Sequence, residues 1–210
     1  VNMGKIKELK YYDVQKVGTI KELLEIAVEQ AGDKIAFKYK DEKGKVIDVT
    51  YKEFQKDTFE LGTALNSINM ADKHIAVIGE NSYKWVTVYL TVLKSKGVIV
   101  PIDKELPVCD IINVLNDSDS EVLFYAKKYE KNIDEIAEKA PNVKYFIGFS
   151  TEKTEGNRLS YNEFKAEGKK LYEGGDKTYA EMITDHNNLK MLVYTSGTTG
   201  MAKGVMLSEH

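Results

Sequence analysis

The chain has 210 residues, enough for one large domain or two small ones with a buried core. Apolar residues make up 42% and charged residues 30%, which excludes a disordered chain. The net charge of -3 gives no electrostatic reason to expect a nucleic-acid partner, and the single cysteine excludes an internal disulfide and fits a reducing compartment.

The N-terminus and the apolar segments give no sign of a secretory signal or of a transmembrane helix. The first residues lack the apolar run of a secretory signal. The longest strongly apolar stretch, residues 85–93, is far shorter than the roughly 20 residues that a membrane-spanning helix needs. We therefore expect a cytoplasmic protein with no transmembrane segment.

A helix-start signal opens the ordered part of the sequence. Thr19 and Glu22 have the spacing of a capping box, in which each side chain bonds to the backbone of the other residue. Apolar residues at helical spacing follow as far as Ala31, and Gly32 is suited to a left-handed turn. These signals predict a helix that ends at Gly32.

A hairpin and a second helix follow. Residues 35–40 and 45–50 flank a turn sequence and predict two antiparallel strands. Thr50 and Glu53 repeat the capping-box spacing, so we predict that a helix begins there.

Between residues 75 and 149, short apolar strands alternate with amphipathic helices. The predicted strands are 75–78, 98–102, 122–126 and 143–149, and the predicted helices are 82–96, 107–116 and 129–139. This alternation predicts an α/β fold with a mostly parallel sheet and helices on both faces. Pro101 has no N–H to donate, so we expect its strand to end or to lose its ladder there.

The stretch after residue 150 predicts a loop, a helix and a linker. Residues 151–158 are polar and read as a surface loop. Ser160 and Glu163 have the capping-box spacing and predict another helix. The sequence Gly174-Gly175-Asp176 then ends the helical pattern and is the best candidate for an internal linker.

A segment rich in glycine and hydroxyl side chains lies between two predicted strands, residues 189–194 and 205–207. Its sequence is Thr195-Ser196-Gly197-Thr198-Thr199-Gly200-Met201-Ala202-Lys203-Gly204. Glycines let consecutive backbone N–H groups converge on an anion, hydroxyls add donors, and the lysine adds a positive charge. Because a strand delivers this loop at its C-terminal end, where open α/β sheets bind ligands, the segment predicts a polyphosphate-binding loop.

The loop differs from the Walker A pattern of ordinary phosphate-loop NTPases. Counting from Gly197, the second glycine should fall where Ala202 stands, and Lys203 is followed by Gly204 instead of a hydroxyl residue. This count disfavours that class. A solvated turn joining two strands is the alternative that composition alone leaves open.

Three segments, in order, carry a resemblance to a known family. Residues 194–208, YTSGTTGMAKGVMLS, resemble the phosphate-binding signature of the adenylate-forming enzymes, which include acyl-CoA synthetases and peptide-synthetase adenylation domains. Residues 93–103, LKSKGVIVPID, resemble that family's second core motif, and residues 49–54, VTYKEF, its early Thr-Tyr-x-Glu segment. One departure is Ala202, where the family usually has proline; the change loosens the bend without removing a donor.

The resemblance implies an enzyme that uses ATP and magnesium to convert a carboxylic acid into an acyl-adenylate and pyrophosphate. A thiol such as coenzyme A usually captures the adenylate. Lys203 would be the catalytic residue that steadies the departing pyrophosphate, and Thr195 would contact the phosphate-bound magnesium. The β- and γ-phosphates would be held by Ser196, Gly197, Thr198, Thr199 and Gly200.

The resemblance also implies a domain organisation. Residues 1–175 would form a first α/β subdomain with the N-terminal helix and hairpin, and residues 176–210 would start a second sheet that carries the loop. Enzymes of this family are more than twice as long, and their adenine pocket, magnesium-binding glutamate, acyl pocket and C-terminal domain follow the loop. We therefore expect an N-terminal fragment that is inactive alone and binds ATP and magnesium poorly.

Residues 204–208 and 80–85 resemble fatty acyl-CoA synthetases more than amino-acid adenylation domains, which implies a fatty acid:coenzyme A ligase as the parent enzyme. An amino-acid or aryl-acid adenylation domain and a non-catalytic nucleotide-binding module are the alternatives. Acyl-CoA formation by the full parent chain would favour the enzyme, whereas inactivity of that whole chain would favour the module.

The remaining chemistry-bearing residues do not form a predicted site. Cys109 has no histidine placed to activate it, so we expect a small buried side chain and not a nucleophile. Asp117 and Asp119 are expected in a charged turn. Metal-ligand spacing is lacking in the three histidines His74, His186 and His210.

Overall fold

The computed structural model describes residues 15–41, 43–195 and 203–209. The strands are β1 (Ile35–Lys40), β2 (Val46–Thr50), β3 (His74–Ile78), β4 (Val98–Ile102), β5 (Val122–Tyr125), β6 (Tyr145–Gly148), β7 (Arg158–Ser160), β8 (Met191–Thr195) and β9 (Lys203–Leu207). The α-helices are α1 (Ile20–Ala31), α2 (Tyr51–Ser67), α3 (Tyr83–Leu93), α4 (Val108–Asp117), α5 (Ile133–Lys139) and α6 (Tyr161–Glu173), and a 3-10 helix (Lys127–Asn132) precedes α5.

Seven of these strands form one sheet, in the order β7-β6-β5-β3-β4-β8-β9, and β1 and β2 form a separate antiparallel pair. All neighbouring strands from β7 to β8 are parallel, and β9 pairs antiparallel with β8. The helices α3, α4 and α5 lie in the connections between the central strands. The predicted α/β fold with a mostly parallel sheet is confirmed.

Both faces of the sheet are covered, which explains the continuous apolar run of β3. Ile75 and Val77 belong to a core formed with α2, α3 and α6. Ala76 and Ile78 belong to a second core, formed with α4 and α5. A strand buried on both faces cannot alternate apolar with polar residues, so the short apolar runs of the sequence are the mark of this layered arrangement.

The β1–β2 hairpin is attached to the helices by aromatic contacts. The rings of Phe37 and Phe54 are 4.8 Å apart, and Tyr39 stacks on Tyr83 with ring centroids 5.1 Å apart and planes 6° apart. Gly44 has a φ of 79°, as the left-handed position of the hairpin turn requires. The predicted hairpin is therefore confirmed and lies against α2 and α3.

The first two of the three predicted capping boxes differ in detail. At Thr50 both bonds form: its hydroxyl accepts from the Glu53 N–H at 3.2 Å, and its own N–H donates to the Glu53 carboxylate at 2.7 Å. At Thr19 the hydroxyl accepts from the Glu22 N–H at 3.1 Å, but the Glu22 carboxylate accepts from Gly18 instead. Each threonine satisfies one of the free N–H groups of its helix.

The predicted left-handed turn at Gly32 is wrong. Gly32 has a φ of -51°, in the right-handed helical region. A Cβ at this position would lie 2.6 Å from the Val28 carbonyl oxygen and 2.8 Å from Cε of Lys52. Glycine therefore serves here to let Lys52 of α2 approach the end of α1.

The loop predicted at residues 151–158 ends at Asn157, because Arg158 begins β7. The predicted capping box at Ser160 is wrong. Ser160 is the last residue of β7, it is buried, and its side chain makes no capping bond. The N–H of Ser160 donates to the Thr154 hydroxyl at 3.1 Å, and the Glu163 carboxylate accepts from the Thr154 N–H at 2.9 Å. The glutamate thus holds the preceding loop and not the helix start.

The chain stays packed against the first sheet after the glycine pair at 174–175. Tyr179 is buried, its ring occupies the space that a Cβ on Gly62 would need, and its hydroxyl donates to the Thr91 carbonyl at 2.6 Å. β8 then pairs with β4, so β8 and β9 extend the same sheet and do not begin another within the described residues. A domain boundary near residue 175 stays a prediction.

The helices are those of a packed α/β protein in length and polarity. α2 has 17 residues, several of them charged. Over the described ranges, none of the helices combines the length and apolarity that a bilayer crossing requires.

Candidate functional site

The predicted phosphate-binding loop joins the last two strands of the larger sheet. β8 ends at Thr195 and β9 begins at Lys203, at the carboxyl edge of the parallel strands. Residues 196–202 lie outside the described residues. The sequence-based roles therefore stay predictions for Ser196, Gly197, Thr198, Thr199 and Gly200.

The structure brings two of the predicted site residues together. Thr195 and Lys203 face each other as the last registered pair of the β8–β9 ladder. Directly opposed residues of an antiparallel pair have Cβ atoms about 5 Å apart on the same side of the sheet. Both residues are exposed, so a hydroxyl and an ammonium group stand side by side at the base of the loop.

Tyr194 anchors the base of this hairpin to α4. Its hydroxyl donates to the Asp117 carboxylate at 2.6 Å. Tyr194 is paired with Gly204 across the ladder, and a Cβ on Gly204 would lie 3.1 Å from the tyrosine ring. Burial and the hydrogen bond to Asp117 both raise the pKa of Tyr194, so the phenol remains a donor.

Lys190 fixes the start of β8. Its N–H donates to the Leu207 carbonyl at 2.8 Å, and its carbonyl accepts from the Ile99 N–H at 2.9 Å. The ammonium group is buried, where it donates to the Ser95 carbonyl. Burial lowers the pKa of Lys190. One residue thus joins the edge strand, β4 and the end of α3.

The ladder between β8 and the rest of the sheet is short, and Pro101 explains why. β4 and β8 are registered only at Ile99 and Met191 among the described residues. The Ile99 N–H points to β8, and Pro101, two residues further along the strand, occupies the same side. Proline has no N–H, so the ladder to β8 stops there, as the sequence predicts. The strand itself does not end at Pro101, because its pairing with β3 continues to Ile102.

The arrangement suits an anionic ligand. The Lys203 ammonium and the Thr195 hydroxyl supply donors in solvent at the carboxyl edge of a parallel sheet. Over residues 15–41, 43–195 and 203–209, no three histidine, cysteine or acidic side chains are grouped to hold a metal ion. The contact of Thr195 with magnesium stays a prediction.

The prediction of a buried Cys109 is wrong. The thiol is exposed at the start of α4, and its Sγ lies 3.9 Å from the Asp110 carboxylate. α4 turns its apolar face to the sheet with Ile111 and Leu115, which places position 109 on the solvent side. His74 is bonded through Nδ1 to the Ser118 carbonyl at 2.6 Å, and His210 lies outside the described residues.

Asp117 is the residue of this site that sequence reasoning misses. A carboxylate near the end of a helix predicts only a charged turn. Its partner, Tyr194, lies 77 residues away in the sequence, so no local pattern connects the two. The position of Tyr194 immediately before the loop was the available signal, since an aromatic residue there needs a polar partner for its hydroxyl.

Comparison with known proteins identifies a family for most of the chain. The profile of the family described as "AMP-binding enzyme" matches residues 24–210. Tyrocidine synthase 1 of Brevibacillus parabrevis is 28% identical over 193 residues, covering 91% of this chain and 15% of that protein. Long chain acyl-CoA synthetase 4 of Arabidopsis thaliana is 29% identical over 175 residues, covering 79% of this chain and 26% of that protein.

Solved structures share the fold. The anthranilate CoA ligase AuaEII, in complex with anthranoyl-AMP, matches with a TM-score of 0.77 and 19% identity over 91% of this chain and 35% of that one. The N-terminal domain of FACL13 from Mycobacterium tuberculosis matches with a TM-score of 0.70 and 21% identity over 92% of this chain and 45% of that one. The chain thus spans less than half the length of each of these proteins.

Proposed function

Because this chain belongs to the AMP-binding enzyme family, we propose that it is the phosphate-holding part of an enzyme that uses ATP to convert a carboxylic acid into an acyl-adenylate and pyrophosphate. The observation that carries the proposal is the pairing of Thr195 with Lys203 on either side of the glycine- and hydroxyl-rich loop. This pairing places an exposed ammonium group and a hydroxyl at the carboxyl edge of the sheet.

The reaction explains why such a loop is needed. A carboxylate oxygen attacks the α-phosphorus of ATP, and the bond from that phosphorus to the bridging oxygen of the β-phosphate breaks. Negative charge then collects on the departing pyrophosphate, so groups that bind it lower the barrier. We assign this role to the Lys203 ammonium and to the backbone and hydroxyl donors of residues 196–200.

The magnesium ion expected with ATP would neutralise part of the phosphate charge. Thr195 has a hydroxyl of the right chemistry at the edge of the loop, because hard cations take oxygen ligands. Its own part is to hold that oxygen next to the phosphates. Tyr194 and Asp117 keep the strand that carries it in place.

For the acid and the acceptor we propose a fatty acid and coenzyme A. The support is the sequence of residues 204–208 and 80–85, together with relatives named as long-chain acyl-CoA synthetases. A relative named as a tyrocidine synthase supports the competing assignment, an amino-acid adenylation domain. Acid-dependent exchange of pyrophosphate into ATP, run with fatty, aromatic and amino acids on the full parent chain, discriminates the two.

Replacement of the loop lysine tests the proposal most directly. In the full parent chain, Lys203→Ala should slow adenylate formation by about 10- to 1000-fold if the ammonium stabilises developing charge. Pyrophosphate exchange measures this rate. Lys153→Ala removes another exposed lysine, outside the three motif segments, and should leave the rate unchanged.

Two outcomes decide against the proposal. An unchanged exchange rate in Lys203→Ala would show that this lysine is only a surface residue. Nucleotide binding by the full parent chain without any acid-dependent exchange would favour a non-catalytic nucleotide-binding module. For the 210 residues alone we expect no exchange, and carboxylate-dependent exchange by them would contradict that expectation.

A further inference from the structure

A crevice lies at the carboxyl edge of the sheet, away from the β8–β9 hairpin and its loop. The chain passes from β3 to β4 on one side, then returns through α4 to β5 on the other side of β3. Helix α3, which follows β3, packs on one face, and α5, which follows β5, packs on the opposite face. Such a reversal separates the chain segments after the two strands and leaves a crevice where α/β proteins bind ligands.

A cleft of about 750 Å³ occupies this position. It is lined by residues just beyond the carboxyl ends of the strands: Glu80, two residues after β3, and Ala126 and Phe149, directly after β5 and β6. The β1–β2 hairpin forms another wall, with Tyr39 and Lys43. The volume lies within the range of roughly 300–1,000 Å³ that is usual for small-molecule sites.

The acidic side chains of the cleft already have partners. Asp57 accepts from the Tyr83 hydroxyl at 2.6 Å and from the Lys165 ammonium at 2.5 Å. Glu80 lies 3.4 Å from the Lys128 ammonium. Asp41 accepts from two backbone N–H groups of its own hairpin turn, at 2.9 and 2.8 Å. Asp57 and Glu80 thus each face an ammonium group, while the Asp41 carboxylate is engaged by the backbone of its own turn.

The lysines of the cleft are less fully engaged. Five lysines line it against three acids. Among the described residues, the ammonium groups of Lys40, Lys43 and Lys127 are exposed and have no carboxylate within ion-pair distance. Positive charge thus remains available at the mouth of the cleft, and low-dielectric walls strengthen its attraction for an anion.

The walls also offer aromatic surface. Tyr39 and Tyr83 stack on each other and are both half-buried, so part of each ring is left for a ligand. The Lys84 ammonium lies 5.2 Å from the centre of the Tyr161 ring and donates to the Phe149 carbonyl at 2.5 Å. Planar rings pack favourably on such aromatic walls.

We propose that this cleft binds a small aromatic molecule carrying a phosphate group. The stacked tyrosines take the ring, and the ammonium groups of Lys40, Lys43 and Lys127 take the phosphate. The site is separate from the proposed catalytic loop, because β4 lies between β3 and the strand that carries the loop. A nucleoside monophosphate and a simple aryl phosphate share this chemistry.

Binding is measured by NMR titration of the full chain with phenyl phosphate, AMP and inorganic phosphate. We expect phenyl phosphate to shift the signals of Tyr39, Tyr83 and Lys127, with inorganic phosphate binding at least about tenfold more weakly. Tighter binding of AMP than of phenyl phosphate identifies a nucleoside monophosphate, and the reverse order identifies a simpler aryl phosphate. Equal binding of inorganic phosphate and phenyl phosphate would overturn the aromatic part of the proposal.

Charge-reversal variants locate the site. The double variant Lys40→Glu/Lys127→Glu should weaken phenyl phosphate binding at least about tenfold, because it replaces two attractive charges with repulsive ones. Lys96→Glu makes the same charge change at an exposed position outside the cleft and should leave binding within about twofold. Unchanged affinity in the double variant, or no shift of the cleft signals in the unmodified chain, would overturn the proposal.

The loop variant separates this site from the proposed function. Lys203→Ala should retain phenyl phosphate binding in the cleft, since Lys203 does not line it. Loss of binding in Lys203→Ala would place the ligand at the catalytic loop and contradict a second site. Failure of the exchange assay with retained binding would instead contradict the proposed function alone.

Discussion

The centre of the sheet and its β8–β9 edge have opposite surroundings. All residues of β5 are buried, whereas all residues of β9 are exposed, including Met206 at 72%. The central strands are held by neighbours on both sides, but β8 has a short ladder to β4. The centre thus supplies the stability of the fold, while the edge presents the residues to which we assign the chemistry.

The largest loss of stability is expected from a substitution in the centre of the sheet. Phe124 of β5 is fully buried, and its ring lies 6.4 Å from the rings of both Phe149 and Tyr161. Phe124→Ala should lower the free energy of unfolding by about 3–5 kcal/mol, because it leaves a cavity in a packed core. Urea denaturation followed by circular dichroism measures it. Phe124→Leu should lose less than half as much, and a loss below about 1 kcal/mol in Phe124→Ala would contradict the described packing.

The second-largest effect on stability is expected at Lys94, whose ammonium group is buried. Lys94 is buried, its ammonium donates to the Thr58 hydroxyl at 2.7 Å, and the Phe59 ring centre lies 4.2 Å away. Burial lowers the pKa of Lys94 to about 7, while Glu25 raises and Lys21 lowers it by smaller amounts. The unfolded chain, with its lysine pKa near 10.5, stays protonated in the range where the folded lysine is neutral.

Stability should therefore rise with pH between about 7 and 10, because the unfolded state binds the extra proton. Lys94→Met should remove this rise and increase the free energy of unfolding near neutral pH by about 1–3 kcal/mol. Denaturation curves at several pH values measure both. Lys96→Met is the matched exposed control. An equal pH dependence in Lys94→Met and the unmodified chain would show that Lys94 does not cause it.

A smaller loss of stability is expected when the hydrogen bond between the edge hairpin and α4 is removed. Tyr194→Phe removes the hydrogen bond to Asp117 and should cost about 1 kcal/mol of stability. In the full parent chain the same change should lower the pyrophosphate exchange rate several-fold by loosening the base of the loop. Tyr172→Phe serves as the control, because the Tyr172 hydroxyl has no hydrogen bond within the described residues. Identical stability of the two variants would mean that the Asp117 contact contributes nothing.

The smallest effect is expected on β9 itself. Met206→Thr changes an exposed apolar side chain of an edge strand, so the free energy of unfolding should move by less than about 0.5 kcal/mol. Thermal and urea unfolding of this variant beside Phe124→Ala measure the contrast directly. A loss of more than about 2 kcal/mol would remove the distinction between centre and edge.

The central layers could be predicted because their signals are local. Runs such as 75–78 and 122–125 are continuous and apolar, and helical patterns separate them, so the element types and the covered sheet follow from the sequence. The helix predicted at 129–139 begins instead as a 3-10 turn at Lys127, since its first residues lack an apolar stripe. The sequence does not predict the short strand β7, because three residues carry too little periodicity.

The sequence predicts the contacts of the candidate site less well than it predicts the central layers. The loop composition predicts that two strands meet there, and the pairing of Thr195 with Lys203 agrees with it. No local pattern reveals the hydrogen bond from Tyr194 to Asp117. The cleft at the carboxyl ends of β3 and β5 is equally hidden, because both features depend on contacts between distant segments. Exposure of Cys109 also depends on which face of α4 meets the sheet.

Pro101 leaves the sheet with few hydrogen bonds between β4 and β8. Since Pro101 presents no donor to β8, a small change in the angle between β8 and β4 disrupts fewer hydrogen bonds than the same change between β3 and β4, which are registered along their whole length. The hairpin that carries the loop is therefore held to the layers behind it by the contacts of Lys190 and by the Tyr194–Asp117 bond more than by a continuous ladder.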